Sequence, residues 1–367
     1  MKENNTKINN LCTILIPTYN RPKYLKRILG YYNGFEENYN IVIADSSLNN
    51  NKEINKKNIL LFSNLDIIYL DHYSSKINPL HKFADMVNYV EKKYCVFCAD
   101  DDFIIPNGIN QSVTFLEKNS DFSVAQGRFI GFSIKNSKNK GLKQFHWAPL
   151  YTNKSTIFSD PKDRMYEHLS NYNLPTIYAV HRTDLLKMIF EDTVEYTNDG
   201  KFGELLPSML DLIYGKMKKL DVIYSARESI IGSGGQAGKS LEDFIKNGTY
   251  EKKYTKFKNC LAKHLIKNSQ MNGYEAKELI DKAMSVYLGR PYSKNYKGIL
   301  IGKMINLLNA LNLPESIDKN IRTLYKKIFT PEINDLKNTI ESPNSKYFDD
   351  FNTIRNHVLL YAKLLPK

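Results

Sequence analysis

Three consecutive aspartates, Asp100, Asp101 and Asp102, are the side chains in this sequence best suited to chemistry. They follow an apolar run that begins at Tyr94, so the sequence places three carboxylates at the end of a predicted strand. Hard oxygen ligands suit Mg²⁺ or Mn²⁺, and Mg²⁺ takes one or two protein carboxylates while water and substrate phosphates fill its other positions. The cluster therefore predicts a metal-bound nucleotide diphosphate. A solvated acidic turn is the alternative.

The elements before this cluster alternate between strand-like and helix-like patterns. Short β-rich runs and segments with apolar residues at helical spacing follow one another in the order 12–16, 24–32, 39–44, 65–70 and 80–90. Such alternation predicts an α/β sheet with parallel strands. Ligands of open α/β sheets bind outside the carboxyl ends of the strands. We therefore expect Asn20, Asp45 and the three aspartates to meet in one crevice.

Three motifs in this half of the chain resemble family 2 glycosyltransferases of the GT-A fold. They are TILIPTYNRPKYL at 13–25, IVIADSS at 41–47 and the Asp-x-Asp-like ADDD at 99–102. Agreement of several motifs in order is more specific than any one of them. The resemblance covers 11–130 well and 170–232 loosely. It implies a Rossmann-like, mixed-sheet domain that binds a nucleoside diphosphate sugar together with Mn²⁺ or Mg²⁺.

The resemblance also implies roles for individual residues. The predicted nucleotide-sugar contacts are Pro17, Thr18, Tyr19, Asn20, Arg21, Asp45, Lys82, Asp100, Asp101 and Arg227. Among these, Asp45 would contact the base or ribose and Lys82 the diphosphate. Asp102 would bind the metal directly, and Asp100 would bind ribose or metal-bound water. Alternatives remain for two of them: an Asx turn that ends a strand for Asp45, and a solvated helix face for Lys82, because His81 is adjacent and the helical register is open.

Two carboxylates are candidate catalytic bases. Glu204 opens a predicted helix that ends near Gly215, where the family has an acidic residue. In an inverting transferase such a group deprotonates the acceptor hydroxyl. The family's usual Glu-Asp pair is Glu204-Leu205 here, so Asp199 is a rival base. An ordinary acidic residue in a first helical turn, favoured by the helix dipole, is the alternative.

Two later segments match the family less closely. Arg227 falls near an Arg-x-His segment of the family, but this sequence has no His there. The resemblance implies that Arg227 reaches phosphate or sugar, with a surface salt bridge near Glu228 as the alternative. The glycine-rich segment 232–240 predicts a mobile loop that closes over the donor, or else an inert linker.

Other features exclude several protein classes. The first strand is followed by PTYNRP, so the chain lacks the Gly-x-Gly-x-x-Gly motif of nicotinamide-binding proteins. Cys95 and Cys98 lie three positions apart in a predicted strand, point to opposite faces and are expected to be core thiols. Four cysteines without a framework indicate a reduced, intracellular protein. Residues 1–10 are polar and no apolar run is long enough for a transmembrane helix, so we expect a cytoplasmic location.

Length and charge predict two domains, a GT-A domain over 1–240 and a helical, basic domain over 241–367. Of a net charge of +13, residues 241–367 carry +9, with 22 Lys and Arg against 13 Asp and Glu. Amphipathic helices are predicted in this part at 254–266, 275–288, 298–311, 317–329 and 354–365. Basic helices with interleaved aromatic residues can bind anionic lipid headgroups. The alternative is a basic solvated face, and nucleic acid is not expected because no binding motif accompanies the charge.

Together these features predict a metal-dependent glycosyltransferase. Its expected donor is a nucleoside diphosphate sugar, with UDP favoured, and its acceptor a glycan or lipid-linked saccharide of bacterial surface polysaccharide or glycoconjugate synthesis. Peripheral contact with the inner face of the cell membrane and a homo-oligomer are compatible with the sequence. The alternatives are a nucleotidyltransferase, or a glycan-binding or assembly module without turnover.

Overall fold

The computed structural model describes residues 11–136, 143–150, 153–229, 241–289, 335–336 and 339–364. The strands of these residues are β1 Cys12–Thr18, β2 Asn40–Asp45, β3 Asp66–Leu70, β4 Tyr94–Phe97, β5 Phe103–Ile104, β6 Phe122–Asn136, β7 Lys143–Leu150, β8 Val180–Arg182 and β9 Lys216–Glu228. The helices of the first half are α1 Pro22–Asn33, α2 Asn49–Ile59, α3 Pro79–Asn88, α4 Pro106–Lys118, α5 Pro161–Ser170, α6 Thr183–Tyr196 and α7 Phe202–Tyr214. They are followed by α8 Leu241–Lys246, α9 Tyr250–Asn268, α10 at 273–289 and α11 Phe348–Leu364, and a 3₁₀ turn spans Thr176–Tyr178.

The strands form one mixed sheet in the order β3-β2-β1-β4-β8-β6-β9-β5, with β7 paired to β6. Strands β1 to β4 are mutually parallel, whereas β8 is antiparallel to both β4 and β6. In the register of β1 and β2, Thr18 pairs with Asp45, so both strands end at the same edge. The mixed α/β architecture predicted from the sequence is confirmed, and the carboxyl ends of its parallel strands lie together.

Helix α2 was not predicted, because its sequence NNNKEINKKNI lacks an apolar stripe. Polar contacts position this helix instead. The buried Lys52 donates from Nζ to the carbonyl oxygens of Asp71 and Tyr73 at 2.7 and 2.8 Å. Asn55 is fully buried and donates to Asp45 at 2.7 Å. Tertiary hydrogen bonds thus replace the hydrophobic periodicity on which sequence reasoning depends.

The C-terminal third contributes to two separate cores. Phe257, Leu261 and Ile280 of α9 and α10 join a core with α5 and α7. Helix α11 instead packs against the sheet core, where Phe351 lies 5.1 Å from the Trp147 ring between centroids. The helices predicted at 254–266, 275–288 and 354–365 correspond to α9, α10 and α11, whereas 298–311 and 317–329 lie outside the described residues. A domain boundary at 240 stays a prediction.

Within the described part of the chain, none of the helices combines the length and apolar composition that crossing a bilayer requires. The described cysteines are all free and buried. Cys95 packs on one side of the sheet and Cys98 in the core on the other side, as their spacing in the strand predicts.

Candidate functional site

The three aspartates lie in the turn between β4 and β5, at the edge where the parallel strands end. All are buried, with exposed fractions of 4% for Asp100, 7% for Asp101 and 4% for Asp102. The solvated acidic turn considered as an alternative is therefore wrong. Buried carboxylates are costly unless charges or hydrogen bonds compensate them, so their partners define the site.

Asp100 and Asp101 share one arginine from the loop after β1. Arg21 Nη1 lies 2.7 Å from Asp101 Oδ2 and 3.3 Å from Asp100 Oδ1. Thr18, the last residue of β1, donates its hydroxyl to Asp100 Oδ2 at 2.7 Å. The first motif and the aspartate motif are thereby joined through side chains as well as through the sheet.

Asp102 is held from the opposite side by the end of β9. Arg227 Nε donates to Asp102 Oδ2 at 3.0 Å, and the backbone N–H of Glu228 donates to Oδ1 at 3.0 Å. The Arg227 guanidinium also lies over the Tyr178 ring, 4.7 Å from its centroid. The surface salt bridge considered for Arg227 is wrong, because its partner is the buried Asp102.

These arginines do not fully compensate the buried charge. Burial raises the pKa of Asp100 to about 6, an effect that Asp101 strengthens and Thr18 and Arg21 oppose. Burial also raises the pKa of Asp102 to about 7, with Arg227 opposing and Asp101 adding to the rise. Carboxyl oxygens that are costly to ionise in this way fit an additional hard cation such as Mg²⁺ or Mn²⁺.

A third arginine, Arg27, was missed in the sequence and also contacts the aspartate turn. Arg27 on α1 is 2% exposed. Its Nη2 donates to the carbonyl oxygen of Asp101 at 2.8 Å, and its Nη1 lies 2.6 Å from Glu228 Oε2. The available signal was its position among the apolar Leu25, Ile28 and Leu29, which places a cation on the buried face of α1.

Asn20 connects the loops that follow β1 and β2. Its φ of 56° lies in the left-handed region, which asparagine tolerates better than most residues. Its side-chain oxygen accepts from the N–H of Leu48 at 2.9 Å, and its own N–H donates to Ser47 Oγ at 2.7 Å. Tyr19, which precedes Asn20, is 49% exposed, and Pro17 is partly buried.

Asp45 is enclosed beneath this loop pair, with no exposed surface. The N–H of Ser47 donates to its Oδ1 at 2.7 Å, which forms the Asx turn proposed as an alternative. Asn55 Nδ2 and the Tyr69 hydroxyl donate to Oδ2 at 2.7 and 2.6 Å. Both oxygens are thus used within the protein, and contact with a base or ribose stays a prediction.

Lys82 points inward from α3 and is 6% exposed, whereas His81 is exposed, so the solvated-face alternative is wrong. The Lys82 ammonium donates to the carbonyl oxygen of Thr18 at 3.1 Å and to Ser46 Oγ at 2.9 Å. Burial lowers the pKa of Lys82 to about 8, against the opposing charges of Asp45 and Asp100. A cation therefore lies behind the ends of β1 and β2, close to the aspartate cluster.

Of the two candidate bases, Asp199 is committed to structure. Its Oδ1 accepts from the N–H groups of Lys201 and Phe202 at 3.0 Å each, which caps the turn that leads into α7. Its Oδ2 lies 3.0 Å from the Lys253 ammonium of α9. The side chain is 12% exposed and has both oxygens occupied.

Glu204 lies in the first turn of α7 and is partly exposed. The Tyr172 hydroxyl donates to its Oε1 at 3.0 Å. Burial raises the pKa of Tyr178 to about 12, Arg227 opposes this rise, and the carboxylates of Asp102 and Glu204 add to it. Both carboxylates are therefore within electrostatic range of the Tyr178 phenol.

The starts of α3 and α7 are in contact. Asn78 Nδ2 donates to the carbonyl oxygen of Asn198 at 3.2 Å. A Cβ atom at Gly203 would lie 2.4 Å from Leu80 Cδ1, so the two helices approach closely here and a larger residue would require the Leu80 side chain to move. The glycine-rich segment 232–240 lies outside the described residues.

A comparison with protein families finds a match in the first half of the chain. Residues 13–178 match the family model described as glycosyl transferase family 2. The matched segment contains β2, the aspartate turn and nearly all of β1, so the three motifs at 13–25, 41–47 and 99–102 lie within it. Glu204 and Arg227 lie outside it. The comparison with curated proteins returned no match.

Solved structures of S. aureus TarS are also similar to this chain. The full TarS structure aligns over 77% of this chain and 43% of its own length, at 16% identity and a TM-score of 0.47. The complex of TarS 1-349 with UDP-GlcNAc aligns over 77% of this chain and 72% of its own, at 15% identity and a TM-score of 0.48. The complex with UDP aligns over 95% and 89%, at 15% identity and a TM-score of 0.44. This chain thus spans under half of the full-length TarS chain.

Proposed function

We propose that this chain, whose residues 13–178 match the family model described as glycosyl transferase family 2, transfers a sugar from a nucleoside diphosphate donor to a glycan or lipid-linked acceptor. The observation that carries this proposal is the buried turn of Asp100, Asp101 and Asp102, which meets the first nucleotide motif through Thr18 and Arg21. Hard oxygen ligands beside phosphate-binding cations suit a diphosphate and a divalent metal.

The charges around the turn support joint binding of metal and diphosphate. Asp100, Asp101, Asp102 and Glu228 supply four carboxylates. They contact three guanidinium groups, those of Arg21, Arg27 and Arg227, while Lys82 lies behind them. With all four carboxyl groups ionised, and with Lys82 counted, the formal charge of this set is zero. A divalent cation and a diphosphate that arrive together leave the balance nearly unchanged, whereas either alone adds uncompensated charge.

Asp102 and Asp100 are the proposed metal ligands, and a Mn²⁺ or Mg²⁺ ion held there would supply positive charge against the departing diphosphate. Arg21 and Arg227 hold the carboxylates in position and are placed to contact donor oxygens. Thr18, Asn20 and Lys82 fix the loop that borders the nucleotide.

Glu204 is the proposed base that takes the proton of the acceptor hydroxyl during attack on the anomeric carbon. The surroundings of the two carboxylates support this assignment over Asp199. Glu204 is partly exposed and has one hydrogen bond to Oε1, from Tyr172. Asp199 uses one oxygen to cap α7 and the other to pair with Lys253. We therefore propose that the acceptor attacks directly and that the configuration at the anomeric carbon is inverted.

The C-terminal basic region supports an acceptor at a membrane surface. Residues 241–367 carry a balance of +9. On α9 the lysines at positions 252, 256, 263 and 267 are exposed. Such a surface attracts anionic headgroups, and we propose that it holds the enzyme at the inner face of the bacterial membrane beside a lipid-linked acceptor.

A donor screen tests the proposed function. UDP-, GDP- and CDP-sugars are added to the full chain with Mn²⁺, with Mg²⁺ or with a chelator, and thermal stability is measured. A ligand that binds the folded state stabilises it by mass action, by about 2.7 kcal/mol at a concentration one hundred times its Kd. The expected result is stabilisation by one class of nucleotide sugar that depends on the metal.

The same screen with Glu204→Gln separates binding from transfer, since this variant retains the proposed donor and metal contacts. Stabilisation by nucleotide sugar in both proteins, with product formed by the natural protein alone, supports a transferase. Release of pyrophosphate from a nucleoside triphosphate and sugar phosphate would favour a nucleotidyltransferase. Binding of glycan without donor binding would favour the assembly module.

A further inference from the structure

A second cluster of metal-ligating side chains lies well away from the aspartate turn. Asp192 of α6 meets Cys260 and His264 of α9, and their ligand atoms all lie within 4.8 Å of one another. Cys260 and His264 are one helical turn apart, so both project from the same face of α9 toward α6. Thiolate, imidazole and carboxylate are the three side-chain ligands that Zn²⁺ uses in proteins.

The imidazole of His264 has a nitrogen available for a metal. The side chain is 5% exposed, and Nε2 lies 3.0 Å from Asp192 Oδ2. This contact lacks the geometry of a hydrogen bond, so Nε2 is a buried polar atom without a hydrogen-bond partner. Buried ring nitrogens are normally satisfied, and a cation between His264, Asp192 and Cys260 would satisfy this one.

The other ring nitrogen is already held in the way that metal-bound histidines require. Nδ1 of His264 lies 2.7 Å from the Tyr214 hydroxyl of α7. A histidine that binds metal through Nε2 carries its hydrogen on Nδ1 and donates it to a nearby oxygen, which fixes the ring. The Tyr214 oxygen is placed to accept that hydrogen.

We propose that Asp192, Cys260 and His264 bind one Zn²⁺, with water in the fourth position of a tetrahedral site. Zinc lies about 2.0–2.3 Å from such ligands, so modest side-chain rotation closes the observed spacing. Asp192 is 11% exposed and Lys263 beside it 58% exposed, which leaves a route for the ion. Lys263 Nζ, 3.5 Å from Asp192 Oδ1, pairs with the carboxylate when the ion is absent.

Zinc at this position would have three protein ligands and one position open to water. It would link α9 to α6. The ion pair between Lys253 and Asp199 already links α9 to the start of α7. A thiol binds a metal only after it loses its proton, so a cation bound here would release the Cys260 proton and stabilise the buried thiolate. The site would therefore stabilise the packing of the C-terminal helices without taking part in sugar transfer.

Titration with Co²⁺ tests the proposal on the full chain after treatment with a chelator. A cysteine thiolate bound to Co²⁺ gives a charge-transfer band in the near ultraviolet, and a tetrahedral site gives strong visible bands. The expected result is one thiolate-bound Co²⁺ per chain that Zn²⁺ displaces. Cys260→Ser should abolish the thiolate band, whereas the matched control Cys95→Ser, another buried thiol, should retain it.

Two further variants distinguish a metal site from a buried hydrogen-bonded cluster. Tyr214→Phe should keep the band but weaken Zn²⁺ affinity about 10- to 100-fold, because it removes only the group that orients His264. Asp102→Asn should leave the band unchanged, which separates this site from the one proposed for the donor. Absence of a thiolate band in the natural protein would overturn the proposal. A band that persists in Cys260→Ser would also overturn it. If Cys260→Ser does not fold, the test is Asp192→Asn, and Co²⁺ binding of undiminished affinity in that variant would overturn the proposal.

Discussion

Arg227 donates from Nε to Asp102 Oδ2 at 3.0 Å, across a separation of 125 residues in the sequence. This contact joins the last strand of the sheet to the aspartate turn. It also means that a cation already occupies one side of the carboxylate proposed as the principal metal ligand. A metal that binds Asp102 must therefore share the carboxylate with this guanidinium or displace it. Because Asp102 is buried, its negative charge should have a large effect on metal binding.

Asp102→Asn tests that role. The variant keeps an oxygen that can accept from Glu228 N–H but loses the negative charge, so we expect a folded protein without metal-dependent donor binding. Circular dichroism checks folding, and calorimetric titration with donor and Mn²⁺ measures binding. Asp121→Asn is the matched control, because Asp121 is 56% exposed and pairs with Lys216 at the surface. Unchanged metal dependence in folded Asp102→Asn would rule out the metal assignment.

Glu204→Gln and Asp199→Asn separate the two candidate bases. Glutamine keeps the shape of Glu204 but cannot accept the proton, so transfer should fall about 10²- to 10⁴-fold with donor affinity nearly unchanged. Asparagine can still cap α7 as Asp199 does, so Asp199→Asn should transfer sugar at a nearly normal rate. Turnover and donor affinity are measured together. The reverse pattern would assign the base to Asp199, and normal transfer in both would place it elsewhere.

Asp45→Ala and Tyr69→Phe distinguish a direct nucleotide contact from a structural role. Removing the carboxylate leaves buried donors of Ser47, Asn55 and Tyr69 unpaired and should lower the free energy of unfolding by about 2–4 kcal/mol. Tyr69→Phe removes one donor and should cost about 1 kcal/mol. Urea unfolding and nucleotide titration are the measurements. Weaker nucleotide binding in Asp45→Ala alone indicates direct contact, and unchanged affinity in both supports the turn-only role.

His168 predicts a pH dependence of stability. Burial lowers its pKa from 6.5 to about 4, and its Nε2 has no hydrogen-bond partner. His168 therefore binds a proton near pH 6.5 in the unfolded chain but only near pH 4 in the folded protein. Stability present above pH 6.5 is lost as the pH falls, by roughly 2 kcal/mol between pH 7 and pH 5.

Urea unfolding of the natural protein and of His168→Leu across this range measures the effect. The variant should lose less stability on acidification than the natural protein. The exposed His81→Gln serves as the control and should follow the natural protein. Identical pH profiles for all three would show that His168 is not the group responsible.

The sequence by itself determined the parts of the site that depend on neighbours in the chain. A strand that runs directly into Asp100, or into Asp45, is a local pattern, and several such motifs in order indicated the nucleotide-sugar fold. Because parallel strands end at one edge, the sequence also indicated that these groups share a crevice. Helix α2 was missed because it has no local apolar pattern: the contacts that stabilise it are polar and come from residues far away in the chain.

Only the tertiary structure decided how each charge is used. Which groups the Lys82 ammonium contacts, which cation pairs with Asp199, and whether Arg227 meets a carboxylate all depended on residues far away in the chain. The same holds for Asp192, whose approach to Cys260 and His264 depends on how α6 packs against α9. Local patterns fix where a strand or helix begins, whereas the pKa and the role of a buried group depend on the partners that long-range packing brings to it.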